Sequence, residues 1–103
     1  MTQASTMVVG ISIFELHLPE CRSLKGKRKV VKGMIDRIHH RFRVSIAETG
    51  FHDLHQRSEI AVAVVSRSES ELDRILDGIR GVVDAAAPEA FLTRWEPQVL
   101  EAG

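Results

Sequence analysis

Aromatic side chains are scarce in this chain of 103 residues: tyrosine is absent, and one tryptophan and four phenylalanines make up 5%. A standard RNA-recognition sheet stacks bases on aromatics of its two central strands. Here the candidate third strand has none and the first has only Phe14, which argues against that mode. A single cysteine, Cys21, excludes an internal disulfide and any paired-cysteine motif. It stands beside Arg22 and ahead of several cations, a setting that favours thiolate. No apolar run approaches the ~18 residues that cross a bilayer, and Met1-Thr-Gln-Ala-Ser-Thr6 lacks the charged and apolar regions of a signal peptide. The expected location is the cytoplasm, with no membrane partner. No glycine-rich phosphate loop or nucleophile elbow is present. A non-enzymatic protein without cofactor or metal is therefore expected.

What is there describes one globular domain, with 44% apolar and 27% charged residues and length for a single modest core. Residues 1–6 are expected to be a disordered extension, 7–98 the domain and 99–103 a tail. The formal net charge is zero, but it is unevenly distributed. Residues 22–43 carry nine cations against the single acid Asp36, a net +8, and the rest of the chain carries −8. One element is basic and the remainder acidic.

Met7 to Leu18 alternates as a strand with both faces largely apolar, which places it inside a sheet. Ser23 is a candidate N-cap, followed by Leu24, Val31, Ile35, Ile38 and Phe42 at helical spacing. Arg43 to Thr49 is a second strand, 50–56 a polar loop, and Ser58 to Ser66 a third strand, apolar on both faces. Ser68 and Glu71 make a capping box ahead of Leu72, Ile75, Leu76, Ile79 and Val83, a second helix. Phe91 to Glu96 is a short last strand that Pro97 confines to an edge or an end, with Phe91 and Trp95 at opposite ends of one face. The order β-α-β-β-α-β with right-handed crossovers gives an α+β, ferredoxin-like fold: a four-stranded antiparallel sheet with both helices on one face. The other face is then left apolar, which makes a homodimer an open expectation.

Three stretches, Ser23-Leu-Lys-Gly-Lys-Arg28, Phe42-Arg-Val-Ser-Ile-Ala-Glu48 and Asp53-Leu-His-Gln-Arg57, resemble the YlxP-like family of small bacterial proteins over nearly the whole chain. Gly26 stands where that family usually has an acidic or polar residue, and His55 where it often has tryptophan. The resemblance implies the same fold. It also implies an accessory role around RNA or the ribosome, because members are often encoded near translation factors and ribosome-binding factor A. It points to Glu48, Asp53 and Gln56 as residues with a shared role in ordering the loop.

The basic stretch raises the main functional question. A helix start carries partial positive charge, yet Lys25, Lys27, Arg28, Lys29 and Lys32 gather there. An external anion would resolve the conflict, since free backbone N–H groups and the cations would converge on it. Lys25, Lys29, Lys32 and His39 form a row that can follow a phosphate backbone, so RNA or the ribosome is the expected partner. Two alternatives stand beside it. The row is a solvated face, or it meets the acids Asp73, Asp77 and Asp84 of the second helix within one molecule or across a dimer. Glu48, His52, Asp53 and His55 also form a polar cluster that could be drawn as a metal or acid-base site, though nothing supplies further ligands.

Overall fold

The computed structural model describes residues 6–102. Its elements are β1 (Met7–His17), α1 (Leu24–Phe42), β2 (Ser45–Gly50), β3 (Arg57–Ser66), α2 (Glu69–Asp84) and β4 (Phe91–Ala102). The strands form one antiparallel sheet in the order β2-β3-β1-β4. This is the ferredoxin-like fold with the expected connectivity, and the two strands that are largely apolar on both faces, β1 and β3, are its centre.

Both helices cover one face. The strands turn Val8, Phe14 and Leu16 of β1 and Ile60, Val62 and Val64 of β3 toward them. Val31, Met34 and Ile38 of α1 and Leu72, Leu76, Ile79 and Val83 of α2 close the core from above. Each such side chain, fully buried, contributes about 1.5–3 kcal/mol. The two helices start differently. Ser68 Oγ caps the Glu71 N–H at 3.2 Å, and Glu69 and Glu71 place acids in the first turn of α2. Ser23 Oγ caps the Gly26 N–H at 3.0 Å, but the first turn of α1 contains no acid.

Two boundaries and one facing differ from expectation, each for a local reason. Arg43 is not strand: it closes α1 in the left-handed region (φ 55°, ψ 44°), its N–H donating to the His39 carbonyl at 2.9 Å. β2 therefore starts at Ser45. β4 does not end at Pro97, and Val99 to Ala102, expected as a tail, continue it. Pro97 pairs across from Ser12 on the outermost strand, where a missing N–H costs no ladder bond if it faces outward. Finally, Phe91 and Trp95 do not share a face. The β1–β4 register shifts between Glu15 and Leu16, so Thr93 is skipped. Trp95 then packs inward on Phe14, with ring centroids 5.6 Å apart, and Phe91 is exposed opposite His17. The proposed extension at 1–6 lies outside the described residues apart from Thr6, which is exposed.

Candidate functional site

The basic cluster divides into an outward set and one inward lysine. At 100° per residue, Lys27, Val31, Met34 and Ile38 follow one line at spacings of four, three and four, and these four are the buried residues of α1. Lys27 has no exposed surface. Its place in the nucleic-acid-binding set is therefore corrected: a fully buried ammonium cannot meet an outside phosphate.

The partner of Lys27 comes from β2. Alternation along that strand turns Ile46 and Glu48 to the helix face, opposite Val62 and Ile60. Glu48 Oε2 lies 3.0 Å from Lys27 Nζ and accepts a 2.6 Å hydrogen bond from Ser58 Oγ, itself buried on the inward side of β3. Lys27 Nζ also donates to the carbonyls of Phe51 at 2.8 Å and Arg57 at 3.2 Å. All three ammonium protons thus have acceptors, which a buried cation requires. Burial raises the Glu48 carboxyl pKa, but the hydrogen bonds from Ser58 and Lys27 and the nearby positive charge outweigh it, so the group is held below its ordinary value.

This knot fixes the loop at residues 51–56. Phe51 enters it with φ 59°, its ring covered by the Arg57 guanidinium at 3.9 Å. Gln56 Nε2 donates to the Pro19 carbonyl at 3.2 Å and the Cys21 carbonyl at 3.4 Å, tying the loop to the β1–α1 connection. Of the three residues singled out for this loop, Glu48 and Gln56 hold it in place. Asp53 is exposed, with no side-chain bond among the described residues. Glu48 turns inward while His52 only approaches its carbonyl, at 3.2 Å. Among the described residues no three His, Cys, Asp or Glu side chains converge as metal ligands.

Lys25, Arg28, Lys29 and Lys32 are exposed. They occupy the flank of α1 opposite Arg37 and Arg41, which line an open groove of about 880 Å³ against Gly78, Gly81 and Val82 of α2. The basic row therefore points away from the acidic helix. Among the described residues no cation of α1 pairs with an acid of α2; Lys32 meets Asp36 of its own helix at 3.0 Å, and Arg80 meets Asp84 within α2. Lys25, Arg28 and Lys29 have no ion pair there. Cys21 is buried, and burial first, then Glu89, pushes its thiol pKa up despite the opposing pull of Lys27. A reactive thiolate is not what this environment makes.

Residues 9–96 match the family described as "Protein of unknown function (DUF503)". The chain belongs to that family. It is 32% identical over 90 residues to "Uncharacterized protein YlxP" of Bacillus subtilis (strain 168), covering 86% of this chain and 98% of the relative. Among solved structures it is similar to MupZ from Pseudomonas fluorescens, with a TM-score of 0.53 and 15% identity over 94% of this chain and 72% of the other. It also resembles a C-terminal segment of the alpha subunit of aIF2 from Pyrococcus abyssi, at 0.52 and 18%. There it covers 92% of its own length and spans 53% of that segment's. At such identities the likeness is one of fold. The three stretches that carry the DUF503 resemblance meet at one place: the first supplies Lys27, the second Glu48, and the third Gln56 with the Arg57 carbonyl. Part of the family's sequence signature in this chain is thus a loop anchor.

Proposed function

We propose that this protein is a non-enzymatic accessory factor that docks on RNA or ribosomal phosphates through the outer flank of α1, with Lys25, Arg28, Lys29 and Lys32 as the contacting side chains. One observation carries the proposal: Lys25, Arg28 and Lys29 sit at a helix start with no acid in its first turn and no ion pair among the described residues. Exposed cations there cost about 0.3–1 kcal/mol each, and a bound polyanion turns that cost into attraction. Lys32 and Asp36 form an exposed i,i+4 pair, worth about 0.3–0.5 kcal/mol, which a phosphate can displace. The family's setting among translation genes supports the same partner class.

Binding to structured RNA, measured across salt concentrations, tests it. Four phosphate contacts give a log–log slope of about −3, at roughly 0.7–0.9 per contact. The combined reversal Lys25→Glu, Lys29→Glu and Lys32→Glu is expected to weaken binding at least tenfold and to flatten the slope. Affinity indifferent to salt, or intact in that variant, removes the helix from the role. Lys27 is left unchanged in this experiment, because its loss acts on the fold.

A further inference from the structure

The sheet face away from the helices is graded from one end to the other. Cross-strand register places five rows on it, from Arg57–His17–Phe91 and Glu59–Glu15–Arg94 at one end to Ala61–Ile13–Glu96, Ala63–Ile11–Gln98 and Val65–Val9–Leu100 at the other. Ser45 and Ala47 of β2 continue the alanine rows. The charged end is largely paired internally: Glu15 takes Arg57 at 3.2 Å and Arg94 at 4.0 Å, Arg94 meets Glu96 at 2.8 Å, and Glu59 accepts from the Thr49 hydroxyl at 2.8 Å. The apolar end is bare, with Val65 70% and Leu100 56% exposed.

We infer that a second copy of this chain closes the apolar end, the sheets stacking face to face about a two-fold axis parallel to the strands and midway between β1 and β3. Relief on the face makes it complementary to itself. Val9, Ile11 and Ile13 form a ridge along β1; Ala61 and Ala63 form a trough along the neighbouring β3. A two-fold in that position carries the ridge of each copy over the trough of the other, Ile11 facing Ala63 and Ile13 facing Ala61. It also keeps both charged ends together at one rim, where they stay hydrated.

Edge-to-edge association is obstructed by contrast. β4 carries Pro97 and the irregularity at Thr93, and β2 is short and irregular at Thr49, the devices by which edge strands avoid pairing. Area sets the strength. Three rows about 6.7 Å apart across four strands about 4.8 Å apart give a footprint of roughly 300–400 Å² per copy. That matches the largest apolar patches on monomers and, counted over both copies, stays below the roughly 1,200 Å² where stable specific interfaces begin, in the range of weak, transient contacts. The dimer is therefore a weak, reversible one.

Sedimentation of the full chain over a concentration series, at low and high salt, is the test. The mass should rise from 11.5 kDa to twice that value as concentration rises, with the transition unmoved or favoured by salt. Ala63→Gln fills the trough and Ile11→Thr lowers the ridge. Each is expected to raise the dissociation constant at least tenfold, while thermal melts confirm that the fold is kept. Leu54→Gln, on an exposed loop position beside the charged row and clear of the three apolar ones, should change nothing. A monomer at every concentration overturns the inference. So does a dimer that high salt dissolves, which would point to the charged helix flanks, or one that both face variants leave intact.

Discussion

Lys27 shows how a single polar side chain can organise a whole end of this molecule. Replacing it with methionine keeps the length but strands the Glu48 carboxylate and removes the donor from the Phe51 and Arg57 carbonyls. Breaking one side of a buried pair costs about 3–5 kcal/mol, so Lys27→Met should lower the unfolding free energy by that amount in a urea titration. A loss below about 1 kcal/mol would mean that water reaches the pair. The same carboxylate makes stability depend on pH. Its folded pKa is depressed, so its contribution is complete above the ordinary carboxylate value and is lost as pH falls through the lower, folded one. Unfolding profiles of the native chain and Glu48→Gln should therefore converge on acidification below about pH 4.3, the ordinary glutamate value, and parallel profiles would refute the assignment. Both members of this pair were legible as misfits. Lys27 interrupts an apolar helical stripe, and Glu48 and Ser58 stand at inward positions of apolar strand alternations. The charge excess drew Lys27 into the outer set instead, because counting cations ignores which way each one points.

Helix packing shows the same dependence on direction. The Phe42 ring of α1 lies over Gly78 of α2: a Cβ added there would stand 2.7 Å from the ring, whereas one added at Gly81 would meet nothing within 4 Å. Gly78→Ala must push the ring aside and is expected to cost about 1–3 kcal/mol. Gly81→Ala gains helix propensity without a clash and should stabilise by up to about 1 kcal/mol. Thermal melts of the two variants should move in opposite directions, and a shared sign would contradict this helix crossing. Neither sign can be read from sequence, since both glycines stand at interior positions of one helical pattern. Element order and type, in contrast, were readable throughout, because apolar periodicity changes between two and 3.6 at every strand–helix junction and a polar loop separates β2 from β3. What sequence could not supply was the irregular geometry. The skipped Thr93 separates Trp95 from Phe91, and β4, as the outermost strand, accommodates Pro97 and continues for five more residues.

Over the whole molecule, the sheet separates two unlike surfaces: helices and their basic flank on one side, a face apolar over three of its rows on the other. Closing that face with a second copy makes four layers, helices outermost, and places the two α1 helices about 30 Å apart at roughly 10 Å per layer. Each dimer then presents two basic flanks facing away from one another. A short hairpin reaches only one of them, whereas a large folded RNA can engage both, and the second contact occurs at the high effective concentration set by the first. Ala63→Gln, which leaves every cation in place, should therefore bind a short hairpin as the native chain does. For a long structured RNA, at protein concentrations where the native chain is dimeric, it should lose at least tenfold in affinity. Equal affinity for the long RNA would mean that the flanks act singly, and that association through the sheet and binding through the helix are separate properties of the fold.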